Sequence, residues 1–255
     1  MARTALITGA SSGIGAELAR IHAAKGGDLV LVARRKDRLE ALRDEIGVNV
    51  LVLAEDLTDA AAPARIHAAV AEAGMTVEYL INNAGFGGRG KFHEMPWEDI
   101  LSMVQVNAIA LAGMMRKFLP DLVAKGSGRI LNVTSTAAEA SGPLQASYFA
   151  SKAFAANLSN ALVEELTDTN VTVTNFMPTA TESEFAERAG MTNSRLFRNT
   201  TSARKVAQDG YDAMLRGDMD AYGGMSTKRW VMQQTLKYLP KRMALRAVRN
   251  AQEAA

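Results

Sequence analysis

Apolar and polar positions alternate along this chain in two rhythms. Short runs in which nearly every residue is apolar recur: Thr4-Ala5-Leu6-Ile7-Thr8, Asp28 to Ala33, Asn49 to Leu53, Tyr79-Leu80-Ile81, Arg129 to Val133 and Val171 to Met177, with a further short run at Asp220-Ala221-Tyr222. Their lengths and β-branched content predict buried strands. Between them, stretches at about 13–25, 37–46, 59–73, 97–123 and 148–168 carry apolar residues at helical spacing. Strand then helix, repeated, predicts an α/β chain with a doubly wound parallel sheet and helices on both faces. No internal repeat and no Pro/Gly/Ser linker interrupts the pattern. Residues 1–225 therefore read as one domain, and 226–255 as a basic amphipathic helical extension of it.

Composition narrows the classes. With 255 residues, 48% of them hydrophobic and 22% charged, the chain can bury a core without disulfides or structural metal. The absence of cysteine removes thiol nucleophiles and cysteine-ligated metal centres. Three histidines (His22, His67, His93) leave no His-rich metal site. The longest apolar stretches carry polar residues, as in Val104-Gln105-Val106-Asn107-Ala108-Ile109, so no membrane span is expected. The first ten residues lack the apolar core of a signal peptide, and a cytoplasmic location is the expectation.

Charge is uneven. From Ser226 onward stand seven basic residues (Lys228, Arg229, Lys237, Lys241, Arg242, Arg246, Arg249) against Glu253 alone, a net +6. The rest of the chain holds 22 basic and 26 acidic residues, a net −4. A body of that sign is not a nucleic-acid binder.

The first chemical signal follows the first run. In Thr8-Gly9-Ala10-Ser11-Ser12-Gly13-Ile14-Gly15, glycines permit a tight turn and close backbone approach, and a helix opens whose free N–H groups suit a phosphate. The spacing is neither the Walker pattern nor the usual dinucleotide G-x-G-x-x-G, and a plain structural turn is the alternative. At the end of the second run, a dinucleotide fold that prefers NAD carries an acidic residue for the ribose 2′-hydroxyl. Here stand Arg34, Arg35 and Lys36 instead. A basic run at a helix start is electrostatically unfavourable and calls for an anion. A 2′-phosphate held by arginine answers it, so NADP(H) rather than NAD is expected. The alternative is a solvated patch relieved by Asp37 and Glu40.

Tyr148 and Lys152 are four apart, which puts both on one helix face. An adjacent ammonium is expected to lower the phenol pKa and make it an acid–base group; the alternative is a surface pair. Ser135 lies thirteen residues earlier, past the fifth run, where ligands bind in such sheets. Its hydroxyl would hold a carbonyl, with Thr134 and Thr136 as competitors. Asn107 falls inside an apolar helical pattern and is either a satisfied core amide or part of the site.

Together these residues resemble the short-chain dehydrogenase/reductase family. The resemblance rests on the Thr8–Gly15 turn, Asp56-Leu57, Asn82-Asn83-Ala84-Gly85, Asn107, Ser135, Tyr148 with Lys152, and Pro178, and it spans about residues 3–225. It implies a Rossmann-type sheet of about seven strands and hydride transfer between NAD(P) and an alcohol or carbonyl. By resemblance, Asp56 and Leu57 sit beside the adenine, and Asn83, Ala84 and Gly85 line the adenosine side. Tyr148 is the general acid and Ser135 bonds the carbonyl oxygen. Lys152 lowers the Tyr148 pKa and bonds the nicotinamide ribose, while Asn107 holds a water of the proton relay. The family's usual Pro-Gly and later threonine are here Pro178-Thr179 and Ser183, with Thr181 between. Ser183 keeps a hydroxyl for the carboxamide, whereas Thr179 adds bulk near the nicotinamide or substrate.

Two segments are expected to set specificity. Residues 184–201 carry Phe185, Met191, Leu196 and Phe197 and read as a lid over an apolar substrate or as packed surface helices. The basic extension packs on the body, on a second subunit or on an anionic membrane surface. It resembles bacterial reductases with a basic C-terminal extension. The expectation is an NADPH-dependent reductase of a small-molecule carbonyl, reversible, acting as a homodimer or homotetramer. The alternatives are a 3-oxoacyl-thioester reductase and a non-catalytic NADP-binding or membrane-associated protein of the same fold.

Overall fold

A computed structural model of the chain describes residues 3–253 apart from Asn193, Asn199 and Lys237, and leaves out the side chains of Leu196, Lys228, Arg229, Met232 and Leu236. The roles expected of these side chains and of Lys237 lie outside the described residues. Each apolar run of the sequence folds as a strand: β1 (Thr4–Thr8), β2 (Asp28–Ala33), β3 (Val50–Ala54), β4 (Val77–Asn82), β5 (Gly128–Val133), β6 (Val171–Pro178) and β7 (Asp220–Gly223). They form a seven-stranded sheet in the order β3-β2-β1-β4-β5-β6-β7, with every pairing parallel. Leu6 of β1 is in register with Val30 of β2 on one side and Leu80 of β4 on the other. The chain winds outward from β1 to β3, returns, and winds the other way from β4. That reversal opens a crevice at the carboxyl ends of β1 and β4, where doubly wound Rossmann-type sheets hold ligands.

The helices are α1 (Gly13–Ala24), α2 (Lys36–Ile46), α3 (Ala62–Glu72), α4 (Trp97–Val104), α5 (Leu111–Lys125), α6 (Ala146–Glu165), α7 (Phe185–Arg188), α8 (Ala203–Arg216), α9 (Thr227–Leu236) and α10 (Lys241–Gln252). The strands' period of two divides the core into two layers. Ala5, Ile7, Leu29 and Leu31 turn toward α1, α2 and α8, where Leu18, Leu39 and Met214 meet them. Leu6, Val30, Leu80 and Ile130 turn the other way, onto Ile66 of α3, Phe118 of α5 and Ala155 of α6. Each fully buried Leu or Ile contributes about 1.5–3 kcal/mol. His22 of α1 joins Tyr211 of α8 through a buried hydrogen bond of 2.8 Å, and its other ring nitrogen lies 2.8 Å from the Arg3 carbonyl oxygen. Burial holds the His22 pKa below its ordinary value, so the ring stays neutral there.

The long helical pattern at 97–123 is not one regular helix. A wider π turn at Gln105–Ala110 separates α4 from α5. Such turns carry one extra residue per cycle and re-aim side chains. Here the re-aimed side chain is Asn107. In the C-terminal extension, Pro240 precedes the first residue of α10 with an extended backbone and turns the chain there. Among the described residues, no helix is long and apolar enough to cross a membrane.

Candidate active site

The nucleotide end of the crevice is built by backbone. Thr8, at the end of β1, accepts hydrogen bonds on its hydroxyl from the N–H groups of Asn83 (3.0 Å) and Ala84 (3.1 Å) beyond β4. The Asn83 amide in turn donates to the carbonyls of Thr8 (3.0 Å) and Gly9 (3.3 Å). The turn needs glycine at two left-handed positions, Gly9 (φ +67) and Gly13 (φ +56). A Cβ on Gly15 would stand 2.4 Å from the Gly9 carbonyl oxygen and 2.5 Å from the Asn83 amide nitrogen. Gly15 thus packs behind the turn, where any side chain would push the two loops apart. Ser12 begins α1 without a side-chain bond to the helix, which leaves the first turn, beside the crevice, without a side-chain cap.

The crevice continues into one cleft of about 1250 Å³. It is lined by Gly9, Ser11, Ser12, Gly13 and Ile14 from the first turn, Arg34 and Arg35 after β2, and Asp56 and Leu57 after β3. Asn83, Ala84 and Gly85 follow from β4, Ser135 from β5, Tyr148 and Lys152 from α6, and Pro178, Thr181 and Ser183 from β6. Two expected site residues, Gly15 and Asn107, stand behind its wall instead. Asn107 is buried and clamps the chain at Phe86: its amide nitrogen donates to the Phe86 carbonyl (2.9 Å) and to the Ser151 hydroxyl (3.1 Å), while its oxygen accepts from the Phe86 N–H (3.1 Å). Those contacts commit the Asn107 side chain to holding the cleft wall.

The basic patch after β2 has a partner that sequence reasoning missed. Arg35 donates to the Ser11 hydroxyl (3.1 Å) and the Ser12 hydroxyl (3.0 Å), and pairs with Glu184 at 2.9 Å. Arg38 also pairs with Glu184. Hydrogen bonds from Arg35 and then Arg38 hold the Glu184 carboxyl down at about 2. Arg34 lies 4.0 Å from Asp56. Glu40 pairs with Lys36 at 3.8 Å. Glu184 is 149 residues from Arg35, and no local spacing announces the contact.

At the other end, α6 places Tyr148 and Lys152 one turn apart, both buried. The Lys152 ammonium donates to the Val133 carbonyl (2.9 Å) and lies 6.0 Å from the Tyr148 ring centroid. Ser135 lines the cleft beside Tyr148, and its hydroxyl accepts from the Ala137 N–H at 3.1 Å. The competitor Thr134 is committed elsewhere, donating toward Asn175 (2.6 Å) and the Phe176 carbonyl (2.9 Å). Burial pushes the Tyr148 phenol up to about 12, against a smaller lowering by Ser135. Burial also brings Lys152 down to about 8. At the phenol, burial outweighs Ser135. Gly85 leaves these groups their room: a Cβ there would stand 3.0 Å from both the Asn107 side-chain oxygen and the Lys152 ammonium.

Beyond Tyr148 the cleft is mostly apolar. Phe185 of α7 lies 5.4 Å from the Tyr148 ring and stacks on Phe197 at 6.1 Å. Phe149 and Val248 join the same cluster. Val248, Leu245 and Ala244 belong to α10, so the basic extension supplies a wall of the cleft, while Arg242, Arg246 and Arg249 remain exposed on its outside. Thr179 lines the cleft, but its hydroxyl is turned to the carbonyls of Gly223 (3.1 Å) and Gly224 (3.2 Å) and ties β6 to β7. The Ser183 hydroxyl accepts from the Phe185 N–H at 3.3 Å and caps the start of α7.

A glycine turn with arginine at one end of a parallel sheet's crevice, and a buried phenol and ammonium with a half-buried hydroxyl at the other, fit a nucleotide-dependent oxidoreductase. The chain belongs to the short chain dehydrogenase family, whose model matches residues 3–194. It is 36% identical over 177 residues to an NADP-dependent 3-hydroxy acid dehydrogenase (YdfG) of Salmonella typhi, an alignment covering 68% of this chain and 70% of the relative. Among solved structures it is similar to a short-chain dehydrogenase from Sphingobium yanoikuyae in complex with NADPH, at 33% identity and a TM-score of 0.81, over 99% of this chain and 98% of the other. It is also similar to the bulky-bulky ketone specific alcohol dehydrogenase from Comamonas testosteroni, at 29% identity and a TM-score of 0.78, over 99% of this chain and 97% of the other.

Proposed function

We propose that this protein is an NADPH-dependent carbonyl reductase, reversible as an alcohol dehydrogenase, whose substrate is bulky and mostly apolar. The observation that carries the reading is the buried Tyr148 and Lys152, with half-buried Ser135, in the same cleft as the glycine turn. Arg34 and Arg35, with the Ser11 and Ser12 hydroxyls, fit the phosphate of a 2′-phosphorylated adenosine, and the NADPH complex of the Sphingobium relative supports that choice. The bound nicotinamide supplies or accepts a hydride at carbon. Ser135 and Tyr148 hydrogen-bond the carbonyl oxygen, and Tyr148 gives that oxygen its proton. A phenol held near 12 is protonated at neutral pH and so ready to donate. Lys152, near 8, is still mainly an ammonium there and stabilises the phenolate left behind. Asn107 keeps Phe86 and the wall beneath Gly85 in place. The apolar wall of Phe149, Phe185, Phe197, Leu245 and Val248 excludes water and favours a large apolar ketone.

NADPH consumption over a panel of aromatic aldehydes, diketones, ketosteroids and 3-oxoacyl thioesters tests the reading. Turnover of a bulky ketone, lost by about 10²–10⁴-fold in Tyr148→Phe with NADPH binding retained, is the expected outcome. Equal turnover in the variant would refute the assignment of Tyr148. Preference for the thioesters would move the substrate class to the 3-oxoacyl alternative.

A further inference from the structure

Glu184 stands where two parts of the cleft meet. Its carboxylate pairs with Arg35 on both oxygens and with Arg38, while Arg35 is braced by Ser11 and Ser12. The next residue, Phe185, packs against Tyr148. The residue before it, Ser183, lies over Gly13, within 3.1 Å of where a Cβ would stand. The segment Thr181–Arg188 is thus tied at one point to the glycine turn and the arginines and at another to the catalytic phenol.

We propose that Glu184 is an internal stand-in for the cofactor's 2′-phosphate, and that it determines cofactor choice by competing with that phosphate for Arg35 and Arg38. The inference rests on the NADP reading of Arg35, adds Arg38 to it through their shared partner Glu184, and so goes beyond it. The pairing is built to exchange: Glu184 and Arg35 each keep about a third of their side-chain surface exposed (33% and 35%), and ion pairs at such positions are weak and replaceable. A phosphate monoester brings nearly twice the charge of a carboxylate and three acceptor oxygens, so it takes both guanidiniums where Glu184 must share itself. A nucleotide without the 2′-phosphate has nothing to offer them and leaves Glu184 in place. When the phosphate takes the arginines, the carboxylate is released and Phe185, its chain neighbour, loses one of its anchors. Occupancy of the adenosine end then changes the freedom of the segment that covers Tyr148.

The test uses fragments that cannot reach Tyr148. Calorimetric titration of the full chain with 2′,5′-ADP and with 5′-AMP is paired with hydrogen–deuterium exchange of the peptide 182–192, in the wild type and in Glu184→Gln. The expected result has four parts. The peptide exchanges faster in wild type with 2′,5′-ADP than with 5′-AMP. The variant exchanges fast without ligand. The variant binds 2′,5′-ADP about tenfold more tightly than wild type, consistent with removal of a competing charge. Its 5′-AMP affinity is unchanged. Selective binding of 2′,5′-ADP that Glu184→Gln leaves equal or weakens, or wild-type exchange that both fragments affect alike, overturns the proposal alone. Failure of wild type to prefer 2′,5′-ADP overturns the NADP reading of the arginines, and the proposal with it. The wild-type exchange arm stands even if the variant does not fold.

Discussion

The two ends of the cleft hold their ligand groups by different means. At the nucleotide end the geometry is made by backbone: Gly9, Gly13 and Gly15 shape the turn, and Thr8 and Asn83 lock it to the neighbouring loop. At the substrate end it is made by side chains from separate segments, with Phe185 and Phe197 before α8 and Leu245 and Val248 at the far end of the chain. A backbone site tolerates almost no change of volume. A side-chain wall tolerates graded change, and so it is where substrate preference is adjusted.

The sharpest way to break that contrast is Gly15→Val. Its Cβ would fall 2.4 Å from the Gly9 carbonyl oxygen, a backbone atom that cannot give way without moving the turn. The expected cost is about 1–3 kcal/mol or more in stability, read by urea unfolding, with nucleotide binding lost in the protein that remains folded. A variant that binds NADPH normally would show that the turn is softer than its packing implies. The double variant Leu245→Ala/Val248→Ala is expected to act on the other end only. Removing these half-buried groups, which a bound ketone would cover, weakens binding of a bulky ketone by about 2–3 kcal/mol, which is roughly a 30- to 150-fold rise in KM. The Kd for NADPH should not move, and a parallel loss of NADPH binding would argue that the ends are not separable.

The smallest effect lies at the seam. Under the proposed mechanism, reduction needs a protonated Tyr148 and a charged Lys152. Tyr148 stays protonated until about 12, so the falling limb belongs to Lys152. Its pKa is lowered by burial, and raising the pH removes the ammonium. The rate of reduction should therefore be level on the acid side of neutrality and fall as pH rises through about 8. A single-turnover rate that stays level well beyond that point would mean the ammonium does not contribute to the chemical step.

The same contrast explains what could be read from sequence. The strand runs and the glycine turn were legible because strand period and left-handed glycines are local properties. Tyr148 and Lys152 were legible as a helical pair, and Ser135 by its place after β5. The phenol's pKa was not, because it depends on how many atoms bury Tyr148, which spacing does not reveal. Nor was the π turn, which falls in a continuous helical pattern and shows itself through the reach of Asn107 to Phe86. Glu184 was hidden for a different reason: an ion pair formed across 149 residues leaves no trace in either neighbourhood. For α10, the amphipathic pattern told that one face is covered, but not that what it covers is the mouth of the cleft.

The clasp between Thr8 and Asn83 joins residues 75 apart, and it closes only after β4 has docked beside β1. Contacts of such sequence separation form late, because the loop between them must first lose its freedom. A partly folded chain holding β1, β2 and β3 has the glycine residues but not the turn they make. A nucleotide therefore recognises the finished protein alone, and by mass action it drains the population of incomplete folds toward the native one.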